Sequence, residues 1–116
     1  MSTLLVGIGG IGGALARHLV GDHLDDDRHT LAVNLLGSLA LGALVTIDLS
    51  PGALELLGTG FCGAFTTFSS FAFAVVRTAQ RGDPWRAAGL AALHIVGAIL
   101  AVVVGMVAGT VVLGSW

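Results

Sequence analysis

Residues 60–71 read GFCGAFTTFSSF, and they sit inside a run from 56 to 76 that carries no Asp, Glu, Lys or Arg. Within those twelve positions are four hydroxyl side chains (Thr66, Thr67, Ser69, Ser70), two glycines ahead of them, and four of the five phenylalanines of the chain, with Phe73 two residues further on. A segment that only anchors a protein in hydrocarbon needs none of these hydroxyls.

Outward from this stretch, the charge map sets the fold class. The chain has 116 residues, of which 55% are hydrophobic and 10% charged, and its mean hydropathy is +0.96. Soluble domains usually carry about a quarter charged residues, so the composition is that of a membrane protein. Residues 1–16, 30–47 and 87–116 are charge-free as well. An α-helix needs roughly 17–25 residues to cross a bilayer, and four spans are predicted, at about 2–20, 30–48, 54–77 and 87–113. The whole chain, 1–116, is read as one all-α membrane domain of four transmembrane helices.

The connections are short and polar: GDHLDDDRH (21–29), DLSPG (48–52) and RTAQRGDPWR (77–86). Gly, Pro and Asp in these places are turn chemistry, and no loop is long enough to fold separately. Four crossings put 21–29 and 77–86 on one side. All five arginines (Arg17, Arg28, Arg77, Arg81, Arg86) fall there, and by the positive-inside rule that side is cytoplasmic, with both termini outside. No basic stretch precedes the first apolar run, so a cleaved signal peptide is not expected. Cys62 is the single cysteine, which excludes an internal disulfide and a thiolate metal cluster.

Gly7, Gly9 and Gly12 have the spacing of a dinucleotide fingerprint, but that motif must follow a strand and open a βαβ unit, and no sheet is predicted. The glycines suit a membrane role better: Gly9 with Gly13, and Gly10 with Ala14, are spaced by four and let another backbone approach. Gly37, Ser38, Gly42, Gly97, Gly105 and Gly109 continue the theme, and a compact, oligomeric bundle is expected.

Two readings stay open for each polar residue in a span. Asn34 either hydrogen-bonds a neighbouring helix or offers an N–H to a permeating anion, because an unpaired carboxamide in hydrocarbon is costly. Arg17 either snorkels to the interface or draws anions to a narrow mouth. His94 reads as a packed or hydrogen-bonded side chain.

In the opening stretch, Gly60 and Gly63 followed by two threonines predict a third helix broken near its middle. Such a break is tolerated at membrane depth only beside protein or a polar cavity, and it frees carbonyls that can hold a cation such as Na⁺. Phe68 and Phe71, three apart, project from one face of the resumed helix. Ring edges are positive, and Ser69 and Ser70 can donate hydroxyl hydrogen bonds.

Three motifs, GGIGGALAR (9–17), VNLLGSLALG (33–42) and GFCGAFTTFSSF (60–71), resemble the Fluc (CrcB) fluoride channels over essentially the whole chain. The resemblance implies subunits that pair antiparallel, with two fluoride pores per dimer, a structural Na⁺ on the central axis, and passive fluoride export across the plasma membrane. Residue by residue, Phe68 and Phe71 are then the pore phenylalanines, Asn34 the vestibule amide, and Ser69 and Ser70 hydroxyls near the fluoride path. Gly63 and Thr66 lend carbonyls to Na⁺, and Arg17 belongs to the vestibule. The family often has a tyrosine where this chain has His94, and a serine where it has Ala98.

Homodimers of the family insert both ways and carry little arginine bias. The five-to-none bias here points instead to a fixed orientation and an oppositely oriented paralogue as partner. The partners expected are fluoride, sodium, the lipid bilayer and a second Fluc-type subunit, and no nucleic acid. The rival readings are a small four-helix multidrug-type antiporter, which needs a membrane-embedded carboxylate, and a non-transporting scaffold. No nucleophile–base pair is assembled, so no enzyme is expected.

Overall fold

The computed structural model describes residues 3–22 and 26–113, and among them every regular element is helical. Helix α1 (Thr3–Gly21) leads to α2 (Asp26–Leu44). The third rod starts as α3 (Pro51–Leu54), passes through a wider π-helical stretch (Glu55–Cys62) and ends as α4 (Gly63–Phe65). Helix α5 (Phe68–Gln80) follows after two non-helical residues, and α6 (Pro84–Ala108) runs into a last π-helical stretch, Gly109–Leu113.

Local chemistry accounts for the starts. Ser50 Oγ accepts the N–H of Ala53 at 3.2 Å and Pro51 takes the first helical position, where a missing N–H costs nothing. Asp83 repeats the device for α6, accepting the N–H of Arg86 at 3.0 Å ahead of Pro84. Between α5 and α6 the chain turns at Gly82, whose φ of 89° is open to glycine at little cost.

The boundaries depart from the charge-free runs. Helix α2 begins at Asp26 rather than near 30 and ends at Leu44 rather than near 48, because hydrogen bonding continues a helix into polar sequence as readily as into apolar sequence. At its far end Thr46 Oγ1 turns back to donate to the Ala43 carbonyl at 2.8 Å. The third rod is helical through both Gly60 and Gly63, against the expectation from glycine, and the departure from helical geometry falls on Thr66 (ψ 161°) and Thr67 (φ −145°).

Helix α1 packs along the π-helical stretch and α4, while α2 packs along α6, and α5 leans on α6. Both main seams are made by glycine. A Cβ on Gly9 would overlap the Leu56 carbonyl, and one on Gly13 the Phe61 carbonyl. Across the α2–α6 seam, a Cβ on Gly42 would overlap the Val102 carbonyl, and one on Gly105 the Leu39 carbonyl. Dispersion and backbone approach, rather than large buried side chains, hold such a bundle together. The close helix packing expected of the small residues is thus made, at these four glycines, between helices of one chain.

The interior is correspondingly lean: Val33, Cys62, Phe65, Ala74 and Ala87 are its buried apolar residues, and Thr30 and His94 are buried polar ones. Large apolar side chains point outward instead, including Leu4, Ile8, Ile11, Leu15 and Leu19 along one side of α1. Three rods, Thr3–Gly21, Pro51–Gln80 and Pro84–Val112, are long and apolar enough to cross a membrane. Three of the five arginines line clefts: Arg28 and Arg86 line one with Thr78, and Arg77 lines another with His29.

Candidate functional site

The centre of the site is a two-residue gap between α4 and α5, held by a side chain from another helix. Asn34 Nδ2 donates to the Thr67 carbonyl at 3.0 Å, and the Thr67 N–H donates to Asn34 Oδ1 at 2.8 Å. One carboxamide thus satisfies both backbone polar groups of a residue that has left the helical ladder, removing the desolvation cost that a break would otherwise carry. The pairing also fixes which end of the amide carries nitrogen.

The two threonines close the ends. Thr66 N–H and Thr66 Oγ1 both donate to the Cys62 carbonyl, at 3.1 and 2.9 Å, which terminates α4. Thr67 Oγ1 accepts the N–H of Ser70 at 3.2 Å and so caps α5. The Thr67 N–H, which an unbroken helix would direct to the Gly63 carbonyl, goes to Asn34 instead. A Cβ on Gly63 would meet nothing within 4 Å, so the backbone there is open to approach. Hard oxygen donors at the C-terminal end of a half-helix fit a Na⁺ ion. Among the described residues no group of three or more His, Cys, Asp or Glu side chains offers another metal site.

Beside the gap lies a cleft of about 400 Å³. Its polar side chains are those of Asn34, Ser38, Thr59, Cys62, Thr66, Thr67 and His94, its rings are Phe68 and Phe71, and no Asp, Glu, Lys or Arg lines it. Phe68 and Phe71 meet edge to face, with centroids 5.8 Å apart and planes at 65°. Phe71 also packs on the His94 ring at 4.7 Å. Phe68 is 78% exposed, like many of the large apolar side chains of these rods.

Ser69 and Ser70, expected near the same path, face elsewhere. They line a second cleft of about 450 Å³ with His29, Thr30, Phe73 and Arg77, because a helical step of 100° per residue turns them away from Phe68 and Phe71. There the Arg77 guanidinium lies 5.4 Å from the Phe73 ring centre. Arg17 lines neither cleft. Its carbonyl accepts a hydrogen bond from His29 Nε2 at 2.8 Å, tying the end of α1 to the start of α2.

The family model described as "CrcB-like protein, Camphor Resistance (CrcB)" matches residues 4–106. The chain belongs to the CrcB family. A relative from Natronomonas pharaonis named fluoride-specific ion channel FluC 2 is 42% identical over 112 residues, covering 94% of this chain and 95% of its own. A FluC 2 of Halobacterium salinarum is 45% identical over 102 residues, 83% of this chain and 77% of its own. A fluoride-specific ion channel FluC of Chlorobaculum tepidum is 38% identical over 125 residues, 99% of this chain and 96% of its own. With channel relatives of this kind and three rods of membrane length, the CrcB chain is an integral membrane protein.

Sequence reasoning missed several residues of this CrcB cleft. His94, Ser38 and Thr59 line it beside Phe71 and Asn34. The sequence reads His94 as a packed or hydrogen-bonded side chain, although an ionisable residue in a span is itself a signal. Ala98 lines it too.

Proposed function

We propose that this chain is a subunit of a fluoride-selective channel in the plasma membrane, letting fluoride leave the cell down its own gradient and so limiting its toxicity. The observation that carries the reading is the cleft that joins the Phe68–Phe71 edge pair to the Asn34-held gap without any Asp, Glu, Lys or Arg in its lining. The names of the relatives support the choice of fluoride.

Bare fluoride is strongly hydrated, and stripping its water costs tens of kcal/mol in a continuum picture. A conduit passes such an ion by replacing its water with many weak partners, favourable enough for entry and weak enough for exit. The rims of Phe68 and Phe71 and the second Nδ2–H of Asn34 are such partners. A guanidinium in the same place would trap the anion. The hydroxyls of Ser69 and Ser70, with Arg77, suit an approach to the conduit from the arginine-rich end, and Arg17 adds positive potential near that end.

Two such subunits pair antiparallel, giving two conduits and covering the exposed face that carries Phe68. The carbonyls of Gly63 and Thr66 would hold Na⁺ at the centre of such a pair. When bound, the ion supplies a positive charge that ties the carbonyl ends of the helices together. The clustering of the arginines at one end supports a fixed orientation, with that end cytoplasmic and an oppositely oriented paralogue as partner. A multidrug-type antiporter is disfavoured because the cleft has no carboxylate to carry a coupling proton.

The test is fluoride efflux from vesicles, read by a fluoride-selective electrode, with this chain alone and then with candidate sister subunits. Efflux of fluoride and not chloride is the expected result. No efflux with any sister subunit would rule the function out, and robust efflux from this chain alone would rule out the need for a paralogue.

A further inference from the structure

Arg28 is the third residue of α2 and Arg86 the third of α6, and both exposed side chains line one cleft of about 420 Å³. They share an end of the bundle because α2 and α6 run parallel: Gly97 faces Leu35, Gly105 faces Leu39 and Gly109 faces Ala43. The third wall is Thr78 of α5. Its hydroxyl is turned back to donate to the Ala74 carbonyl at 2.8 Å, so the side-chain donors that the cleft offers an anion are the two guanidiniums.

Away from the arginines the cleft becomes apolar. Leu31 lies three residues beyond Arg28, and Leu90 and Leu93 lie about 6 and 10 Å beyond Arg86 along the α6 axis. Gly89, between them, keeps the groove open, since a Cβ there would meet nothing within 4 Å. Helix α6 is one of the rods long enough to cross a membrane. Trp85, beside Arg86, is 86% exposed, and an exposed indole at the end of a membrane helix belongs at headgroup level. The basic mouth therefore sits at the surface of the bilayer and the leucines within its hydrocarbon.

We propose that this cleft seats one anionic phospholipid of the leaflet at the arginine end. The guanidiniums of Arg28 and Arg86 hold the phosphodiester, whose oxygens match their forked donors, and an acyl chain runs past Gly89 over Leu31, Leu90 and Leu93. Charge and apolar depth select this occupant together: a free phosphate ion would use the mouth and leave the leucines bare, and a zwitterionic headgroup brings an ammonium that the arginines repel. The seated lipid joins α2, α5 and α6 where their ends meet the headgroups. This inference stands on the chain being an integral membrane protein and not on conduction, so it holds or fails apart from the fluoride proposal.

The experiment offers the purified chain, in detergent, equal amounts of phosphatidylglycerol and phosphatidylcholine with the same acyl chains, and counts bound lipid by native mass spectrometry. Phosphatidylglycerol should be retained in preference. Arg28→Gln and Arg86→Gln should each weaken its retention about fivefold, the loss expected when one arginine leaves an anionic lipid surface. Gly89→Leu, which fills the groove without changing charge, should also lower it, whereas Arg81→Gln, a basic residue outside the cleft, should not. Equal retention of the two lipids by wild type overturns the inference without any variant. So does full retention by Gly89→Leu, or a loss in Arg81→Gln as large as in the other two, because the attraction then belongs to the basic face at large. A parallel thermal melt compares phosphatidylglycerol with inorganic phosphate. Stabilisation by the lipid alone is expected, and equal stabilisation by phosphate would make the cleft a site for the free ion and overturn the lipid assignment.

Discussion

The Asn34 carboxamide and the Thr67 peptide group bond each other twice, Nδ2–H to carbonyl at 3.0 Å and N–H to Oδ1 at 2.8 Å. The two residues are 33 positions apart in the chain. What reads in sequence as a solitary amide in an apolar helix is the support of a gap in another one.

Removing that support has separable effects. Asn34→Ala leaves the Thr67 N–H and carbonyl unpaired and should destabilise the protein by about 1–3 kcal/mol. Asn34→Asp can still accept from the Thr67 N–H, but it loses the donor to the Thr67 carbonyl and brings negative charge to the cleft. Thermal unfolding in detergent should rank wild type above both variants, and fluoride efflux should be lowest for Asn34→Asp. An Asn34→Asp channel that conducts like wild type would contradict the proposed path.

The rings offer a test in which stability and conduction part company. Phe68 is largely exposed, so Phe68→Ile should change chain stability by no more than about 0.5 kcal/mol. Phe71→Ile gives up its contact with His94 and should cost less than about 1.5 kcal/mol. Both should abolish fluoride efflux while elution volume stays that of the assembled protein. Retained efflux in both would show that these rings do not line the fluoride path.

Glycine-to-alanine changes should differ in sign along the same rod. A Cβ at Gly105 would overlap the Leu39 carbonyl, backbone that cannot yield, whereas one at Gly89 would meet nothing within 4 Å. Gly105→Ala should therefore destabilise by about 1–3 kcal/mol through overpacking. Gly89→Ala should stabilise by about 0.5–1 kcal/mol through helix propensity and a less flexible unfolded chain. Thermal melts of the two variants decide it.

Sodium is tested by withdrawal. Exchanging Na⁺ for a bulky organic cation should lower the melting temperature of the assembled protein, and adding Na⁺ back should restore it, since a ligand bound only to the native state stabilises by mass action. An unchanged melt in both conditions would argue against the Gly63 and Thr66 carbonyls as a sodium site.

The class of the fold was legible because bilayer thickness converts charge-free length directly into membrane-crossing rods, and because arginine and proline mark the ends. Three of the rods qualify by apolarity and length alone, while α2, with Asp26, Asp27 and Arg28 in its opening turn, does not. Glycine spacing correctly pointed to close helix packing. It could not say whether the neighbour was the same chain or another, since i and i+4 positions define a face and not its occupant.

The residue types of the proposed anion path, phenylalanines with hydroxyls and one amide, were determined by the sequence alone. Their grouping was decided only by the tertiary structure. It placed the gap at Thr66 and Thr67 rather than at the glycines, turned Ser69 and Ser70 into a second cleft, and brought His94 from the fourth rod onto Phe71. The physical reason is that periodicity along one helix tells which residues share a side, whereas hydrogen bonds and ring contacts between helices depend on their relative rotation and offset. Here the close backbone contacts at Gly9, Gly42 and Gly105 fix both.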